Sequence, residues 1–283
     1  MKRTVLRTVI SVVLALFLAI SLFVCGFCVY GYEVVCNPGV FMETAEASGY
    51  AQELYGEIFD KWENLLVITG VSDTESIMEV LTPEQVKKDA HLYLENAYAG
   101  NVETPDTESL ENSLSEKVHA YAYRGEDPDP IPELEANIQE LVSACMGEYR
   151  QSVQIRLLPK LLSALGSRRS LMKIGIFASA GIALFFCVFL FFLQKKKKEF
   201  LYYGAMATAT GALILLGGCW FARYQQILNR LPFEDSAMKT LVVKFLETLL
   251  VYLRQLGDLY LAVTVLLLVL YLLFSLLAKR KKT

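Results

Sequence analysis

Two histidine–carboxylate pairs come nearest to a reactive spacing: His91 with Glu95, four apart, and Glu116 with His119, three apart. On a helix, either spacing sets an imidazole nitrogen and a carboxylate oxygen on one face, as metal sites in helical bundles require. The elements that must carry them oppose a shared ion. In a hairpin turning at 100–105, His91 lies nine residues before Gly100 and His119 fourteen after Pro105. That stagger is about 7 Å at 1.5 Å per residue. A second Glu-x-x-His is also missing, so surface histidines and no metal are expected. Two histidines in the whole chain leave no material for His-based catalysis. Neither Gly-x-Gly-x-x-Gly nor a P-loop occurs, and no nucleophile–base pair stands out. The reading is a non-enzyme without cofactor.

Six cysteines are present, and Cys25, Cys28, Cys187 and Cys219 fall within or at the ends of apolar runs, as small fillers. Cys36 and Cys145 are the one pair in a segment where oxidation is possible, and they form the candidate disulfide. Cys145 lies 26 residues before Leu171, about 39 Å along an unbroken helix. A bridge therefore needs the chain to fold back, at Pro159 or Gly166. Asp127-Pro128-Asp129-Pro130 lacks the spaced acids and central glycine of a calcium loop and reads as a stiff connector.

The charges are segregated. Residues 31–155 carry 25 acids and 6 bases, whereas the rest of the chain carries 5 acids and 21 bases. The chain is 54% hydrophobic, with mean hydropathy +0.38. That excess sits in four runs, at 8–30, 174–193, 200–222 and 259–277, each near the length a bilayer requires. Basic clusters lie before the first run, at 195–198 between the second and third, and after the fourth. By the positive-inside rule these are cytoplasmic, as are both termini, and 31–170 is external. Arg168, Arg169 and Lys173 oppose this orientation but are outweighed. The first run has the basic start of a signal peptide, yet Val24-Cys25-Gly26-Phe27-Cys28 is too bulky for cleavage. It reads as a signal anchor in the cell membrane.

The last three runs contain no Asp, Glu, Lys, Arg or His, which argues against a transporter or intramembrane enzyme. Small residues recur instead: Gly175, Ser179 and Ala183 in one run, Ala207 and Gly211 in the next. This spacing predicts close helix packing between spans two and three.

The acidic segment is helical by periodicity. Phe41, Ala45, Ala51, Leu54, Ile58, Trp62 and Leu65 form a first stripe. Thr82-Pro83-Glu84-Gln85 reads as N-cap, first-turn proline and capping-box glutamine, followed by Val86, Ala90, Tyr93 and Ala97 up to Gly100. A third helix carries Leu110, Leu114, Val118 and Tyr121. A fourth, from Pro132, carries Leu134, Ile138, Leu141, Cys145 and Tyr149 and runs on toward the second span. Residues 236–257 read as an amphipathic helix, with Gly257 as a flexible joint to the last span. Its apolar face (Leu241, Phe245, Leu249, Leu253) must be buried either in the headgroup region or on the acidic bundle, the bundle being favoured because Lys239, Lys244 and Arg254 could meet its acids.

The expected fold is thus an all-α integral membrane protein. Residues 1–30 form the anchor, 31–170 an extracytoplasmic helical bundle, and 171–222 a transmembrane hairpin. An external amphipathic segment at 223–258 precedes a fourth span and basic tail at 259–283. The span order is similar to that of claudins and of a cell-division permease family, in layout alone. The paired-cysteine tryptophan motif of the first is missing, and Gln194 to Glu199 leaves no room for the coupling helix of the second. The expected role is presentation of the bundle for protein interaction or envelope sensing, with the bilayer and a second membrane or envelope protein, or another copy, as partners and no nucleic acid. A component of a small-molecule or ion permeation complex is the alternative. The absence of an Asn-x-Ser/Thr sequon among seven asparagines fits a bacterial protein.

Overall fold

A computed structural model describes residues 2–101, 106–123, 131–155, 158–194, 196–225 and 235–280. Throughout these residues the chain is helical, without strands. The elements are α1 (Lys2–Tyr30), α2 (Pro38–Ala47), α3 (Tyr50–Ile68), α4 (Thr74–Met78) and α5 (Pro83–Ala99). They continue as α6 (Glu108–Ala122), α7 (Pro132–Val153), α8 (Leu158–Leu193), α9 (Lys197–Tyr224) and α10 (Ser236–Arg280). The expected connector at 127–130 lies outside the described residues. The chain divides into an apolar unit (Met1–Asn37, Ser167–Leu231, Leu246–Thr283) and an acidic unit (Pro38–Gly166, Pro232–Phe245).

Among the described residues four helices are long and apolar enough to cross a membrane, and their apolar stretches lie on α1, α8, α9 and α10. Phe177, Phe192, Leu213 and Leu266 stand exposed on them, a surface suited to lipid rather than water. Helical backbone satisfies its own polar groups, as a bilayer demands. Inside the unit, Leu14, Leu18 and Ala19 pack with Ala183, Leu190 and Ala207, and α1 with α9 is the most extensive helix pair. The first span does not stop at Tyr30. It widens into one π-helical turn, Gly31–Val35, where the Cys36 amide donates to the Gly31 carbonyl five residues back at 2.8 Å.

In the acidic unit α3 is central, packing against both α5 and α7. Tyr50, Leu54, Ile58, Trp62 and Leu66 recur every fourth residue, and each is at most 2% exposed. The inward residue at the end of this seam is Leu66, where the stripe anticipated Leu65. That stripe is also two helices. Gly49 adopts φ 76° between α2 and α3, and the Ser48 hydroxyl accepts the Tyr50 amide at 3.1 Å. Thr82 caps α5 through Gln85 N–H at 3.2 Å, and Gly100 closes it at φ 81°. The helix from Pro132 ends at Val153, and Gln154 turns extended (φ −95°, ψ 93°). A new helix, α8, then starts at Leu158.

The largest departure from expectation is at Gly257. It is no joint, because α10 is one helix from Ser236 to Arg280. A Cβ at Gly257 would lie 2.8 Å from Leu216 Cδ2 and 3.3 Å from Leu215 Cβ. The missing side chain serves close approach to α9, not bending. Gly257→Leu is therefore expected to lower the melting temperature of the detergent-solubilised protein, through overpacking of about 1–3 kcal/mol. Gly217→Ala, with nothing within 4 Å of its Cβ position, should leave it unchanged. Equal melting temperatures for the two variants would show that α9 and α10 do not meet there.

Candidate functional site

The residues singled out by spacing are dispersed by the fold. His119 pairs with Glu135 at 3.5 Å and stacks on Tyr123 with ring centroids 6.2 Å apart. His91 lies on α5, its Nε2 buried without a partner. Among the described residues no group of three His, Cys, Asp or Glu is arranged to hold a metal ion. Cys36 and Cys145 are both free and buried, so the candidate disulfide is not formed. Cys145 is fully enclosed in the acidic unit's core. Burial pushes the Cys145 thiol from its ordinary 9.0 up to about 12 and holds it protonated.

The small-residue stripes serve other helices than the two that carry them. A Cβ on Gly175 would lie 2.7 Å from Cys28 Sγ of α1, and one on Gly211 would lie 3.2 Å from Tyr260 of α10. Ser179 is turned back on its own helix, donating to Gly175 O at 2.6 Å. Ala183 and Ala207 do share a core, together with α1. Beside it, however, is a cavity of about 400 Å³, walled by Ala180, Leu184 and Cys187 of α8 and by Phe200, Gly204 and Thr208 of α9. The two helices meet again at Phe191 and Phe200, whose ring centroids are 5.5 Å apart. Thr208 is the one hydroxyl on this wall, and it lies 2.8 Å from the hydroxyl of Thr264.

The polar chemistry is in the acidic unit. Asp89 is 3% exposed and is the one charged residue buried among the described residues. Tyr149 O–H donates to its Oδ2 at 2.6 Å, and Gln85 Nε2 lies 3.1 and 3.0 Å from the two oxygens. Gln85 thus serves Asp89 and not the reciprocal capping-box bond. Trp62 packs beside Tyr149 with ring centroids 6.2 Å apart and donates to Cys145 O at 2.7 Å. Sequence analysis passed over Asp89, although a signal was present: it falls three after Val86 and four before Tyr93, within the apolar stripe of α5.

A cavity of about 270 Å³ opens beside this core. Its wall combines Tyr50, Leu54, Glu57 and Lys61 of α3 with Gln151, Ser152, Gln154 and Ile155 around the end of α7. Asp235, Ala237 and Met238 at the start of α10 complete it. Positions 50, 54, 57 and 61 share one helical face, so the seam that fills the core also reaches this cavity. Lys61 donates to Ser152 Oγ at 2.9 Å and lies 3.6 Å from Glu148. Glu57 Oε1 accepts the Ala237 amide at 2.9 Å. Glu53 Oε2 accepts the Ser236 and Thr240 hydroxyls at 3.1 and 3.0 Å. The α10 start thus meets the acids of α3 through its N-terminal groups, and Leu241 and Phe245 fill the core below. Arg254, anticipated as a partner of those acids, instead lies 3.7 Å from Asp258. Among the described residues two polar atoms of the wall have no partner: the Tyr50 hydroxyl, on a residue 2% exposed, and Gln154 Nε2. Burial first, then Tyr93, Glu57 and Asp235, raise the Tyr50 phenol well above its usual value, so it remains a donor.

No protein-family model matches the chain, and no curated protein or solved structure matches it either.

Tyr149→Phe is expected to destabilise by about 1–3 kcal/mol, because the Asp89 carboxyl loses its shortest donor in a dry site. Tyr50→Phe removes a hydroxyl with no partner and should be neutral or stabilising. Thermal unfolding of the two variants separates these roles, and equal losses would assign Tyr50 a hidden partner. Burial raises the Cys145 thiol and the Tyr50, Tyr93 and Tyr149 phenols. Such groups favour the folded state fully below their ordinary values, 9.0 for the thiol and 10.0 for the phenols. Their contribution is lost as pH rises from there through the folded-state values. The melting temperature should therefore hold up to about pH 9 and fall steeply above it. A flat alkaline profile would contradict that burial.

Proposed function

We propose that the chain is a non-enzymatic multi-pass protein of the cell membrane that presents its acidic helical unit outside the cytoplasm as a binding and sensing module. Both termini and the 195–198 turn are cytoplasmic in this reading. The observation that carries it is the cavity at the start of α10, with a buried, unpartnered Tyr50 hydroxyl on its wall. A structural core has no use for such a group, whose unmet hydrogen bond costs about 1–3 kcal/mol. A binding site does. Glu57 lines the cavity and also accepts the Ala237 amide, so an occupant acts on α10 directly. In this reading the unit acts with a partner, either a second membrane or envelope protein or another copy. The permeation alternative gains no support from the 400 Å³ cavity, whose wall is apolar apart from Thr208 and two thiols.

Two measurements test this reading. In a variant without native cysteines, an impermeant thiol reagent added to intact cells should label position 140 and not position 196. Both side chains are exposed, so the reverse pattern would invert the orientation. Purification from native membranes in mild detergent should recover a stoichiometric partner or a dimer. A lone monomer at every detergent condition would defeat the proposed partnership.

A further inference from the structure

The geometry points to a compact amino-acid-type zwitterion, carrying a primary ammonium and a carboxylate, as the ligand of the α3–α7–α10 cavity. This inference rests on the binding role proposed above and names its ligand class.

The wall groups divide by charge. Glu57 and Asp235 supply carboxylates, and their proximity to the Tyr50 hydroxyl is felt in its electrostatic environment. Lys61 supplies an ammonium, held by Ser152 at 2.9 Å. Gln154 presents an amide nitrogen with no acceptor. An anionic solute would meet two carboxylates against one ammonium. A simple cation would leave the Gln154 donor unmet. A neutral polyol would leave the carboxylates without a counter-charge in a partly enclosed wall, where pairing is worth more than in open water. A zwitterion meets each need: its ammonium to Glu57 and Asp235, its carboxylate to Gln154 and Lys61, and the Tyr50 hydroxyl to either.

Size agrees. The cavity of about 270 Å³ is far larger than the roughly 10–15 Å³ that admits one water. It also lies just under the roughly 300–1,000 Å³ of drug-sized pockets. Leu54, Ile155 and Met238 provide a modest apolar wall for a short side chain.

The full chain, purified in mild detergent, would be titrated calorimetrically with each of the twenty proteinogenic amino acids, and separately with methylammonium and with acetate. At least one amino acid should bind and raise the melting temperature, and neither half-molecule should do so at the same concentration. Tyr50→Phe should weaken binding about tenfold, the worth of one hydrogen bond. Glu57→Gln keeps an acceptor for Ala237 and removes the charge, and should weaken binding by about tenfold or more. Binding by no amino acid to a chain with an unaltered melting transition overturns the inference. So does methylammonium binding as tightly as the best amino acid, or binding that both variants leave unchanged. A chain that labels outside and recovers its partner yet binds no amino acid defeats the ligand class alone. Reversed labelling defeats the presenting role whatever the titration gives.

Discussion

A carboxyl group in a dry core must be hydrogen-bonded by whatever surrounds it, and Asp89 imposes that condition on the acidic unit. Its two oxygens are met by Gln85, one turn earlier on α5, and by Tyr149 from α7. The register of α7 on α5 follows from that pair of donors. Tyr149 in turn fixes its neighbour Trp62, whose indole reaches the Cys145 carbonyl and draws α3 against α7. Three helices from distant parts of the sequence are thereby set by one acid. The cavity is a consequence at the edge of the same packing. α3 continues past the core with Glu57 and Lys61 on the adjoining face, α7 ends at Val153, and the space left is walled by the start of α10.

The apolar unit poses the opposite problem, since its last three apolar runs carry no Asp, Glu, Lys, Arg or His and it has a large surface that water would reject. Several polar groups near the ends of the runs are paired internally. Gln194 accepts from Arg7 at 2.9 Å and donates to Ser11 at 2.7 Å, and Arg7 lies 3.6 Å from Glu199. The bend between α8 and α9 is thereby fastened to α1 by side chains at the edges of the apolar runs. Tyr260 donates to the Leu22 carbonyl and Tyr30 to that of Leu249, so hydroxyls as well as small residues hold α1 to α10. Where side chains are smallest, at Gly175, Gly211 and Gly257, the neighbouring helix fills the space with Cys28, Tyr260 and Leu216.

Much of this was legible in the residues. Apolar runs of bilayer length mark α1, α8, α9 and α10, and helical periodicity marks α5, α6 and α7, though it misses the flanking buried positions Leu94, Tyr98, Val142, Met146 and Val153. Thr82 and Gly100 act as cap and stop because local backbone chemistry decides them. What sequence did not disclose depends on partners far along the chain. Gly175 and Gly211 announce close packing but not with which helix. Gly257 resembles a hinge by type, and only the presence of Leu215 and Leu216 shows that it is a contact. Tyr50 reads as core by its type, which its ring is. Its hydroxyl becomes a feature of a site because Glu57, Gln154 and Asp235, from three different segments, meet around it.

The position of Glu57 ties occupancy of the cavity to the helix beneath it. The first turn of α10 has amide groups without partners in their own helix, and a carboxylate at that end is favourable both as acceptor and against the helix dipole. Glu57 supplies this through the Ala237 amide, and Glu53 adds bonds from Ser236 and Thr240. A cation drawn to Glu57 competes for the same negative charge. It weakens the attraction that caps α10 even when every atom stays in place. Under the proposed ligand, the first turn of α10, a single helix to Arg280, is thus the element whose stability occupancy would change.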